Sequence, residues 1–124
     1  MSDEDAELEL LLSLDGGSYE AAPGYVVEFV VRRTAKSPAR PHGISYSLVF
    51  RPKGGKPYVR FDNAHRVTRS GGRFVKRPAA HDHWHRTETD PGRPYAFRSA
   101  MQLLDDFWRE VKRVMSEKGI PNDL

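Results

Sequence analysis

The chain has 124 residues, 38% of them hydrophobic and 30% charged, with a net charge of +3, which suits one compact core and a single domain over 1–124. It has no cysteine, so a disulfide framework and a thiolate metal site are both excluded, and no apolar run approaches the roughly 20 residues that span a bilayer. The net charge hides an asymmetry: residues 1–28 carry eight acids and no Lys or Arg, whereas residues 32–98 carry sixteen Lys or Arg against four acids.

An acidic arm, 1–7, opens the chain without the basic start of a signal peptide, so a cytoplasmic location is expected. Leu8, Leu10, Leu12 and Leu14 then alternate with Glu7, Glu9, Leu11 and Ser13. That period of two reads as a strand closed by Gly16-Gly17, although Leu8, Leu11 and Leu12 also fit a short helix. GYVVEFVVRR sets Tyr25, Val27, Phe29 and Val31 on one face of a β-branched strand. After a Pro-rich loop, ISYSLVFR sets Ile44, Tyr46, Leu48 and Phe50 inward. PKGGK turns the chain into PYVRFDN, with Val59 and Phe61 inward and Tyr58, Arg60 and Asp62 on the polar face. HRVTRSGGRFVKRPAA reads as a basic hairpin or loop. Ser99 and Gln102 form a capping-box pattern, and Leu103, Leu104, Phe107, Trp108, Val111, Val114 and Met115 recur at helical spacing up to the stop at Lys118-Gly119. The expected fold is α+β: an antiparallel sheet of about four to six strands packed against a C-terminal helix at about 99–118. Trp108 is read as core.

A basic body of this kind meets polyanions, with nucleic acid the first candidate; the alternative is that the acidic arm lies on it and neutralises or masks it. Two polar clusters are candidates for chemistry. In FDNAH, Asp62 and Asn63 end a strand and His65 follows, a pattern that also serves turns. In HDHWH, an extended chain projects His81, His83 and His85 from one face and Asp82 and Trp84 from the other. Those histidines, completed by Asp62, fit a divalent metal with an open position. Without a metal they fit RNA cleavage by its own 2′-hydroxyl, which needs a base, an acid and cations for the charge on phosphorus. Histidine suits the first two roles because its ordinary pKa of about 6.5 lies near working pH. Arg60, Arg66, Arg73, Lys76, Arg77 and Arg86 are the candidate RNA-binding cations, and Trp84 or Tyr58 the candidate stacking surface. Each cation taken singly also reads as a solvated surface residue.

PHGISYSLVF, Phe61-Asp62-Asn63, His83-x-His85, Tyr95-x-Phe97-x-Ser99 and Leu103-Leu104-x-Asp106-Phe107-Trp108 occur in an order that resembles the TumE-like family, over about Leu8 to Val114. The resemblance implies a toxin of a bacterial toxin–antitoxin pair that inhibits growth through RNA or translation. It also implies an antitoxin partner, usually a helix-turn-helix protein. Asp62, Asn63, His83 and His85 match the family's polar motif, with His65 and His81 next. The long basic segment between the clusters departs from the family pattern. Three readings stand together: a ribonuclease-like toxin that needs no cofactor, a non-enzymatic nucleic-acid or protein interaction module, and a histidine-ligated, metal-dependent hydrolase.

Overall fold

The computed structural model describes residues 3–38, 41–63, 82–85 and 92–121; the side chains of Glu4, His83 and Arg93 are outside that description. The elements run α1 (Asp3–Ser13), β1 (Ser18–Ala22), β2 (Tyr25–Arg33), β3 (Ile44–Pro52), β4 (Val59–Asp62), β5 (His83–His85), β6 (Arg93–Pro94) and α2 (Ala100–Lys118). The six strands form one sheet in sequence order, and every neighbouring pair is antiparallel. This is the expected α+β arrangement, with α2 on the apolar face of the sheet.

Alternation in the strands builds the core. Phe29, Leu48, Phe61 and Trp84 are cross-strand partners in one row across β2 to β5, and Val27, Phe50 and Val59 form the next. Leu103, Phe107, Val111, Val114 and Met115 of α2 close over these rows and are buried. Phe107 meets Phe29 and Phe61 edge to face, with ring centres 5.9 and 6.0 Å apart. Trp108 is half-buried beside Phe29 and Phe107. The Ser99 hydroxyl caps α2 by accepting from Gln102 N, while the Gln102 side chain turns forward to Asp106, so only half of the capping box forms. Gly119, at a φ of 68°, ends the helix in the left-handed conformation.

Residues 8–14 are a correction: the expected strand is helix α1 and its exit turn. DEDAELELLLS contains no β-branched residue and is rich in Glu and Leu, so its backbone preference is helical. Leu11 enters the core and Leu8 and Leu12 are half-buried, at helical spacing, whereas Leu10 stands exposed. Strand β1, which alternation did not mark, is held by the Pro23-Gly24 turn onto β2. Tyr58 also differs from expectation. It precedes β4 and packs with Tyr25 and Phe50 instead of standing beside Arg60 and Asp62.

Candidate functional site

Strand alternation gives β4 and β5 two unlike faces. On the face away from α2, Ser47, Asp62 and His83 are cross-strand partners, and Val49, Arg60 and His85 form the adjacent row. This register brings the two clusters, twenty residues apart in the chain, onto neighbouring positions of one sheet.

Asp62 and His85 are both buried. Arg60 Nε lies 2.9 Å from Asp62 Oδ2, and Arg60 Nη2 lies 3.0 Å from His85 Nε2. Asp62 Oδ2 is 3.8 Å from the same imidazole nitrogen. One guanidinium thus lies between a carboxylate and an imidazole, a cation beside a group able to exchange a proton. Asn63 is fully buried and does a different job. Its Oδ1 accepts from Tyr46 N at 2.8 Å, and its Nδ2 donates to Ile44 O at 2.9 Å. The side chain thereby continues the ladder on β3 where β4 ends, fixing the place of Asp62.

The opposite face of the same strands holds a buried network. Asp82 accepts from Tyr46 Oη at 2.7 Å and lies 3.1 Å from His42 Nε2, whose ring packs on Phe97. Burial first, then the Asp82 charge and hydrogen bond, push the Tyr46 phenol well above its ordinary range. The phenol therefore stays a donor. Trp84, a candidate for base stacking, lies on this face, half-buried and stacked on Phe61 at 5.5 Å. Tyr95 meets Phe61 edge to face and donates to Asp106; burial and then that hydrogen bond push its phenol up as well.

A half-open cavity of about 300 Å³ sits on the helical side, lined by Asp5, Glu7, Lys36, His42, Phe97 and Arg98 among others. Its walls carry both signs of charge, and it does not reach Arg60, Asp62 or His85. Helix α1 also lies on the helical side: Leu11 is in the core and Glu7 accepts from Met101 N at the start of α2. The described part of the acidic segment, α1, therefore lies on the helical side and not on the polar face.

Of the residues singled out from sequence, Arg60, Asp62 and His85 are brought together, and the backbone of His83 lies opposite Asp62. His65, Arg66, Arg73, Lys76, Arg77, His81 and Arg86 lie outside the described residues. Among the described residues no group of three or more His, Asp or Glu is arranged to hold a metal, a statement that does not reach His81 or the His83 side chain. His42, Tyr46 and Gly92 were missed. A lone histidine in a Pro-Gly loop, an inward tyrosine and a turn glycine carry no local mark of their partners.

Among the described residues no helix is long and apolar enough to cross a membrane. The family model described as Toxin TumE matches residues 9–115. No curated protein and no solved structure matches the chain.

Proposed function

From the premise that this chain belongs to the TumE toxin family, and so is the toxin component of a toxin–antitoxin system with an antitoxin as partner, we propose that it inhibits growth by cleaving RNA on the polar face of β4 and β5. The observation that carries this reading is the register that sets Asp62 opposite His83 and Arg60 opposite His85. A basic residue, a carboxylate and the His85 imidazole on one sheet face, with His83 at the register position opposite Asp62, meet the needs of 2′-hydroxyl attack on phosphorus.

In this reading the O2′–P bond forms and the P–O5′ bond breaks. His85 takes the O2′ proton, and His83 is the candidate that returns a proton to the leaving O5′. Arg60 offsets the charge that builds on the phosphoryl oxygens, and Asp62 holds Arg60. Asn63 contributes by fixing the strand end. The basic residues Arg66, Arg73, Lys76, Arg77 and Arg86 extend the RNA track, and the antitoxin, a helix-turn-helix protein in this proposal, covers that track with acidic side chains.

Purified protein is expected to cleave RNA or block translation in a cell-free extract. Expressed without its antitoxin it is expected to arrest growth, and the His83→Ala/His85→Ala double variant is expected to lose both effects. Full toxicity of the soluble double variant sinks the site. RNA binding that weakens steeply with salt, without turnover and without any effect of the histidine changes, would instead favour the non-enzymatic module.

A further inference from the structure

The tautomer of His85 follows from donor chemistry. A guanidinium has N–H donors, no acceptor, and keeps its charge, so the imidazole nitrogen 3.0 Å from Arg60 Nη2 must be the acceptor. That nitrogen is Nε2, so in the neutral form of the ring this contact puts the proton on Nδ1. The lone pair that a base would use is thus already engaged by a cation in the resting protein.

The ring is also seated from the other side. A Cβ placed on Gly92 would lie 2.6 Å from His85 Cε1, closer than real Cβ contacts come, and 3.0 Å from Nε2, itself a tight contact. Gly92 adopts a φ of 109°, a backbone conformation that L side chains rarely take. Bare backbone is therefore required here twice over, once by the turn into β6 and once by the imidazole. This seat holds the ring where Arg60 and Asp62 of β4 meet it.

The three members of the cluster differ in access. The side chains of Asp62 and His85 are 7% and 11% exposed, whereas that of Arg60 is 42% exposed. The cation is the outer group, standing between solvent and the base. Its pose is imperfect: the buried Nε–H has no in-line hydrogen-bond acceptor among the described residues, although Asp62 Oδ2 is 2.9 Å away. A phosphodiester that draws the side chain outward offers that N–H and its Nη neighbour a bidentate partner of the geometry guanidinium prefers.

We infer that Arg60 and Gly92 form a substrate-released catch on His85: Gly92 seats the ring, Arg60 occupies Nε2, and an RNA phosphodiester that draws Arg60 onto itself frees Nε2 to accept a proton. The inference rests on the RNA reading above and adds its regulation. Proton acceptance at Nε2 is coupled to the arrival of the group to be attacked, with the O2′ proton passing to Nε2 as the O2′–P bond forms and P–O5′ breaks. Gly92 is a positioning residue in this scheme, and Arg60 is the group that touches substrate.

The test is nitrogen-15 spectroscopy of the histidine side chains in the full chain, with His85→Ala identifying the His85 signals. At a pH where the ring is neutral, free protein is expected to show one tautomer, with a pyridine-type Nε2 and a protonated Nδ1. Arg60→Met should give a mixture of tautomers, and Gly92→Ala should displace the ring signals while the amide spectrum of α2 stays unchanged. If Gly92→Ala fails to fold, Arg60→Met decides alone. A non-cleavable 2′-O-methyl oligonucleotide should move the Nε2 signal in wild-type protein and leave it unmoved in Arg60→Met. An Nε2-protonated tautomer in the free protein overturns the catch, whatever RNA does. Tight oligonucleotide binding with an unmoved Nε2 signal overturns the release step. Absence of any oligonucleotide binding overturns the RNA reading and the release with it, while the tautomer still judges the resting contact.

Discussion

The two faces of β4 and β5 are made by the same seven residues, yet they are built on opposite principles. On the inner face Phe61 and Trp84 stack within an aromatic cluster, and Asp82 is met by Tyr46 and His42. On the outer face Arg60 is half in solvent, with a buried N–H that lacks an aligned acceptor among the described residues. Close packing and satisfied polar groups stabilise the inner face, whereas the outer face holds charge at the edge of solvent. In the function proposed above, strand alternation separates stability from chemistry by one residue.

The sharpest way to break that separation is to exchange the effects. Phe61→Ala, at the centre of the inner row, is expected to cost about 3–5 kcal/mol in denaturant unfolding, since it opens a cavity among Trp84, Tyr95 and Phe107. His85→Ala is expected to cost only about 1 kcal/mol, because Arg60 can return to water, and to abolish growth inhibition. A His85→Ala protein as unstable as Phe61→Ala would make the outer face structural.

Polar residues of the inner network sharpen the comparison at smaller cost. Tyr46→Phe removes one of the donors on Asp82 and is expected to lose about 1–2 kcal/mol. The sign of its pH dependence follows from the raised phenol. The folded chain holds the Tyr46 proton more tightly than the unfolded chain, whose phenol titrates near the ordinary value of about 10. The contribution is therefore complete below pH about 10 and falls as pH rises above it. Unfolding curves between neutral pH and pH about 11 should show a steeper alkaline loss for wild type than for Tyr46→Phe. Equal slopes would remove Tyr46 from the linkage.

Legibility in the sequence followed the range of the interactions. Strands β2, β3 and β4 and helix α2 repeat their apolar residues at the period of their own backbone, and Gly119 marks the helix stop, so local pattern found them. Helix α1 failed because four leucines at even positions imitate a strand, while the evidence against it lay in the absence of β-branched residues. The histidine cluster and Asp62 were legible as residue types. Their pairing was not, because the register of β4 against β5 is set across a connection of twenty residues. His42 and Gly92 were invisible for the same reason: each acquires meaning only from a ring or carboxylate brought from another strand. Charge alone did not place the acidic segment, whose leucines bind it to the helical layer.

That helical layer supplies the mildest test. Helix α2 has no acidic residue in its first turn, and Glu7 of α1 reaches across to accept from Met101 N at 3.2 Å. A carboxylate at a helix N-terminus adds about 0.3–1 kcal/mol, and this contact is at the lower end because it is solvent-exposed. Glu7→Gln keeps an acceptor and removes the charge, so it should lower stability by a few tenths of a kcal/mol, with the difference shrinking as salt is added. Toxicity and RNA affinity should be unchanged, because α1 is on the opposite side of the sheet from Arg60 and His85. A Glu7→Gln protein with raised RNA affinity would show that the acidic helix acts on the outer face after all, and the division between the two faces would no longer hold.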